Sequence, residues 1–118
     1  MTLPGTPPRI VLATRPVSFN KEHDGLAAVV EHELGLDPYS GVVVVFRCRE
    51  HRDQIKVLWW DGASLVLAHK RLEHGRFIWP SVRDGMLWLR RTEFEVLFAG
   101  LDWRRMLDPE VRTRNGAP

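Results

Sequence analysis

Three β-branched, apolar runs follow one another between residues 42 and 71, joined by connections of only a few residues. A parallel return to a neighbouring strand needs a dozen or more residues, so runs this closely spaced pair antiparallel, as a meander. The first run, 42–48 (VVVVFRC), is apolar on both faces, which predicts a central strand. The polar stretch Glu50-His51-Arg52-Asp53 leads into the second run, 55–60 (IKVLWW). Asp61-Gly62, a strong hairpin dipeptide, leads into the third, 65–71 (LVLAHKR). A basic loop follows, then Phe77-Ile78-Trp79-Pro80. Pro80 ends any ladder. This segment is too apolar for a free loop and is expected to close the meander, with Trp79 largely buried.

The flanks read as follows. Residues 9–13 (RIVLA) predict a first short strand. Ser18 stands where a helix N-cap belongs, and Leu26, Val29, Val30 and Leu34 then recur at helical spacing. Gly35 is the expected C-cap, and Asp37-Pro38 stops the helix. Asp84-Gly85 opens a strand over 86–89, and Thr92-Glu93-Phe94-Glu95 reads as a capping box with Thr92 as N-cap and Glu95 at N3. Phe94, Leu97 and Phe98 share one face of the helix that follows, which ends at Gly100. The expected fold is α+β, a small antiparallel β-meander flanked by an N-terminal and a short C-terminal helix. The chain has 118 residues, so one domain is expected, over 9–107. Residues 1–8, with three prolines and a glycine, form a flexible lead, and 108–118 a loose tail.

Several chemistries are excluded at this level. The longest strictly apolar run is 42–46, far short of the ~20 residues that span a bilayer, so no membrane helix is expected. No secretory signal is visible at the N-terminus, and a cytoplasmic location is expected. A single cysteine, Cys48, rules out an internal disulfide framework, and between Arg47 and Arg49 on a strand it reads as a core or edge thiol. Serines 18, 40, 64 and 81 lie in no G-x-S-x-G elbow. His23, His32, His51, His69 and His74 show no metal-ligand spacing. The carboxylates lie in turns (Asp37, Asp53, Asp61, Asp84) or beside arginines (Glu50, Glu73, Asp102). No catalytic residue, metal, cofactor or small-molecule substrate is therefore expected.

The basic residues carry more information. Fourteen of the seventeen are arginine, the side chain suited to bidentate phosphate contact, although the net charge is only +2. Any nucleic-acid contact must come from local clustering. Lys70, Arg71 and Arg76, in and after the third strand, are the first candidates for binding DNA or a protein partner. Arg47, Arg49, Arg52 and Lys56, on the first hairpin, are the second. Trp59, Trp60 and Trp79 lie near them, as stacking on bases would require. Glu73 lies within the first group and is expected to pair with Arg71 or Arg76. The competing reading is a solvated charged face balanced by Glu50, Asp53 and Glu73.

Longer motifs narrow the field. DPYSG at 37–41, VFR at 45–47, KVLWWDG at 56–62 and KRLEHGRFIWP at 70–80 resemble the TnpB-type accessory protein of the insertion sequence sixty-six family, the product of its second open reading frame. RIVLAT at 9–14, DGLAAVV at 24–30 and AGLDWRR at 99–105 extend the resemblance over about 9–106. It implies a mobile-element protein that works beside a separate, larger transposase, with DNA at the element ends, the transposase and another accessory protein of the element as partners. It implies no catalytic residues and no membrane. An adaptor that binds only the transposase or the other accessory protein is the alternative. One segment departs from the family pattern D-[MF]-R-K-G, since Ser18-Phe19-Asn20-Lys21-Glu22 replaces its aspartate, arginine and glycine. Loss of the arginine and gain of Glu22 remove two units of positive charge.

Overall fold

A computed structural model describes residues 8–80 and 85–103. Its strands are β1 (Ile10–Ala13), β2 (Val43–Arg47), β3 (Gln54–Trp60), β4 (Leu65–Arg71) and β5 (Met86–Leu89), and its helices α1 (His23–His32) and α2 (Arg91–Phe98). The strands form one sheet in the order β4-β3-β2-β1-β5. β2, β3 and β4 make the expected antiparallel meander, with β2 at the centre.

The sheet as a whole is mixed, which corrects the purely antiparallel expectation. β1 runs parallel to β2, Val11 opposite Val44, and β5 pairs antiparallel on the other side of β1. The physical reason lies between β1 and β2. About thirty residues carrying α1 separate them, enough for a crossover, and both strands are buried on both faces as parallel strands generally are.

Each sheet face has its own core. Val11, Val44, Phe46 and Leu58 pack against Leu26 and Val30 of α1. On the opposite face, Leu12, Val45, Ile55 and Val57 pack against Leu97 of α2, Phe77 and Trp103. Residues 72–80 leave the sheet at β4 and lie across this second face, where Leu72, Ile78 and Trp79 join the core. They do not close the meander as a strand, and Trp79 is partly rather than largely buried. Trp103 is the fully buried tryptophan, and its Nε1–H donates to the Ile78 carbonyl at 2.8 Å.

The helix ends differ from expectation at both N-caps and agree at both C-terminal glycines, Gly35 and Gly100. Ser18 does not cap α1; its Oγ accepts the Asn20 N–H at 3.3 Å in a turn, and α1 starts after Glu22. The carbonyls of Phe19 and Lys21 are held instead by the Lys56 ammonium, at 2.8 and 2.7 Å, which keeps this stretch out of the helix. At its other end the Leu34 and Leu36 N–H groups reach back to the carbonyls of Val29 and Val30, with Gly35 at φ +67° between them, as expected of a glycine C-cap. In α2 the capping carboxylate is Glu93, whose Oε1 accepts the Arg90 N–H at 2.6 Å. Thr92 is therefore inside the first turn and Glu95 beyond it. Asp84, residues 1–7 of the lead and the whole 108–118 tail lie outside the described residues.

Candidate nucleic-acid interface

The topology collects basic residues at one end of the sheet. β1 and β2 end there, β3 begins there and β4 ends there, since Arg47 pairs with Ile55 and Gln54 with Arg71. Arg15, Arg47, Arg49, Arg52, Arg71 and Arg76 follow or border those strand ends. Arg15 joins this end because β1 runs parallel to β2, whereas the antiparallel meander and the segment after β4 gather the other five.

Three of the candidates meet. Arg47, Arg52 and Arg76 line one pocket of about 230 Å³ together with Phe77, Ile78 and Trp79. Two backbone hydrogen bonds build it, from the Leu72 N–H to the Asp53 carbonyl (2.9 Å) and from the Phe77 N–H to the Arg52 carbonyl (3.0 Å). They tie the 72–80 segment to the β2–β3 connection and so bring Arg76 to Arg52. The Arg47 guanidinium carbon lies 5.9 Å from the Trp79 ring centre. Burial, and then the charge of Arg52, lower the pKa of Arg47 from its ordinary value. Among the described residues no carboxylate pairs with any of the three arginines, and Glu73 pairs with neither Arg71 nor Arg76. Glu50 is occupied elsewhere, accepting the Phe19 N–H at 2.9 Å, which holds its carboxyl below the usual range.

The other candidates go elsewhere. Arg49 lines a second cleft, of about 310 Å³, with Arg15, Lys21 and the carboxylate-bearing Glu33. The ladder continues there past β2, because the Arg49 N–H donates to the Val17 carbonyl at 2.7 Å. Arg71 is exposed, and strand alternation puts it on the α1 face, away from the Arg47 pocket. Lys70 points the other way: its ammonium donates to the Phe98 carbonyl and sits 3.9 Å from the Phe98 ring centre, a cation at the C-terminus of α2. Lys56 is corrected outright. It is 1% exposed and bonded to Phe19, Lys21 and the Glu22 carboxylate, so it presents no charge to a partner. Cys48 is buried, and burial pushes its thiol pKa up.

A third cleft, of about 370 Å³, is of a different kind. It lies between α2 and the sheet and is mostly apolar, walled by Ile10, Val57, Trp59, Ala68, Phe94 and Phe98. Among the described residues, no helix is long and apolar enough to cross a membrane, and no His, Cys, Asp and Glu side chains group as metal ligands do.

A family model described as "IS66 Orf2 like protein" matches residues 8–108. The chain belongs to the IS66 Orf2-like family. Two curated relatives come from Sinorhizobium fredii (strain NBRC 101917 / NGR234). The uncharacterized protein y4jC is 44% identical over 104 residues, covering 88% of each chain. The uncharacterized protein y4hO is 36% identical over 96 residues, covering 81% of this chain and 83% of its own. No solved structure matches the chain. Membership places this IS66 Orf2-like protein among accessory open reading frames of insertion sequences, a family without a known catalytic activity. Every motif that carries the resemblance lies within the matched span.

Proposed function

We propose that this IS66 Orf2-like protein assists transposition by contacting DNA at its basic sheet end, in the cytoplasm, with no catalysis of its own. The transposase and the other accessory protein of the element complete the assembly, and the transposase carries the strand chemistry. One observation carries this reading: Arg47, Arg52 and Arg76 converge beside Trp79 with no carboxylate among the described residues to neutralise them. Guanidinium groups contact backbone phosphates bidentately, which fixes the register of a protein on DNA.

The test is a gel shift of the purified protein on the terminal inverted repeats of its element, with and without the transposase. Binding is expected to weaken steeply as salt rises, because each neutralised phosphate releases counterions. Binding that appears only with transposase present, and hardly changes with salt, favours the adaptor reading. A specific observation supports that second reading: the apolar cleft beside α2 contains a buried Trp59 Nε1–H with no hydrogen-bond partner among the described residues. A tryptophan in an apolar cleft is a common anchor for a protein partner.

A further inference from the structure

We propose that the pocket of Arg47, Arg52, Arg76 and Trp79 is a receptor for one phosphate group of a DNA backbone, with the base left outside. This deepens the DNA reading above and rests on it.

Two residues that line the pocket carry hydrogen-bond donors that nothing in the described chain uses. Arg47 Nε and Trp79 Nε1 are both buried and have no hydrogen-bond partner among the described residues. Buried donors are nearly always paired in native proteins, so two idle ones lining one pocket call for an acceptor from outside. Arg52 and Arg76 are exposed at the same pocket and add charge at its mouth. All of these groups donate and none accepts, which excludes a cation, and the three positive charges favour an oxyanion over a neutral acceptor. Burial, and then the positive charge of Arg52, depress the Arg47 pKa, and an anion in the pocket offsets both.

Comparison with the other clefts sharpens the assignment. The Arg15–Lys21–Arg49 cleft includes Glu33, and the apolar cleft includes Arg91 with Glu95, whose side chains pair at 3.3 Å. The Arg47 pocket alone of the three has basic residues and no carboxylate in its lining. Its size sets what enters. At about 230 Å³ it falls below the ~300–1,000 Å³ of pockets that enclose a whole small molecule. One group of a longer polymer fits that space better than a free nucleotide does. Contact through a phosphate alone carries no sequence information, so this pocket positions the duplex or strand without reading it. The Phe77 N–H bond to the Arg52 carbonyl and the Trp103 Nε1–H bond to the Ile78 carbonyl hold the backbone of its walls.

The experiment has two arms on the full chain. Because Arg47 is partly buried and its loss endangers folding, the variants are Trp79→Phe, which keeps an aromatic ring and deletes the N–H, and the exposed pair Arg52→Ala with Arg76→Ala. In the first arm inorganic phosphate is titrated at constant ionic strength, with melting temperature as the readout. Phosphate should raise the melting temperature of the wild type more than that of either variant. In the second arm dissociation constants are measured on two oligonucleotides of unrelated sequence. The double variant should bind both about tenfold or more weakly, to the same extent. Its slope of log K against log salt should be shallower by about 0.9, the value for one phosphate that is no longer neutralised. Wild-type-like phosphate response in both variants overturns the pocket while DNA binding by the wild type still stands. Weakening confined to one oligonucleotide overturns the phosphate-only mode in favour of base readout. A phosphate response without binding to any DNA overturns both the DNA reading and this assignment of source.

Discussion

The Lys56 ammonium lies 3.2 Å from the Glu22 carboxylate, with the lysine buried and the glutamate largely exposed. Glu22 stands where the related pattern has glycine. The added negative charge thus reaches the one lysine that the described sheet encloses, so a change that looks like reduced DNA affinity has a structural use. The carbonyls of Phe19 and Lys21 supply the remaining acceptors. Lys56→Met should leave both carbonyls short of a donor and cost about 1–3 kcal/mol for each that stays buried and unpaired. Glu22→Gln should cost under about 1 kcal/mol, because an exposed partner is well screened. Urea unfolding of the two variants distinguishes them, and equal midpoints contradict the account.

Trp103 should matter more to stability than Trp79. It is fully buried, touches the core of the α2 face and pins the 72–80 segment through Ile78. Trp103→Ala is expected to cost about 3–5 kcal/mol, the range for a large aromatic truncated in a core. Trp103→Phe should remove only the hydrogen bond and some volume, about 1–2 kcal/mol. Thermal melts that put Trp79→Ala below Trp103→Ala in stability overturn this order.

The meander was legible because its strands are close in sequence and Asp61-Gly62 sets the turn, with the Asp61 carboxylate accepting the Ala63 and Ser64 N–H groups. The partner of β1 was harder. Parallel neighbours are distant in sequence, and the signal available was two runs buried on both faces with a helix between them. Lys56 carried its own warning, since strand alternation puts it on the face of Leu58, among apolar neighbours. Arg47, Arg52 and Arg76 were each visible as basic residues near tryptophans. Their convergence was not, because it depends on the Phe77 N–H finding the Arg52 carbonyl, and no periodicity encodes that bond.

His69 should make stability depend on pH near neutrality. Its Nε2 lies 2.7 Å from Gln54 Oε1 and its ring stands edge-on to Phe19. The residue is exposed by surface area, so partial burial of its ring, and then the Lys56 charge, lower its pKa from 6.5 in the folded protein by an amount that solvent screening keeps small. The unfolded chain then binds the proton first. Stability is full above pH 6.5 and declines as the pH falls through the folded-state value. Melting temperatures from about pH 7.5 to about pH 5 should fall in the wild type and fall less in His69→Gln. A steeper fall in the variant contradicts the sign.

Cys48 should be inert in the folded protein. It is 2% exposed, and burial raises its pKa, so the thiolate needed for attack is scarce at neutral pH. A thiol reagent such as dithionitrobenzoate should react with one equivalent only after denaturant is added. Rapid reaction in buffer contradicts the buried position.

Lys70 and Arg76 should separate stability from binding, although they are six residues apart and share one basic segment. Lys70 is committed to α2, where its ammonium meets the last carbonyl of the helix and the Phe98 ring. A cation in that position stabilises by about 0.3–1 kcal/mol, rising toward ~2 where partly buried. Lys70→Gln should therefore lower stability by that amount and leave DNA affinity within about twofold of the wild type. Arg76 is exposed, bonds to no carboxylate among the described residues and faces the Trp79 pocket. Arg76→Ala should leave the unfolding midpoint unchanged, as surface substitutions generally do, and weaken DNA binding severalfold. If the segment were only a structural turn, Arg76→Ala would lower the unfolding midpoint and leave DNA affinity unchanged, so paired unfolding and binding curves on these variants decide between the readings.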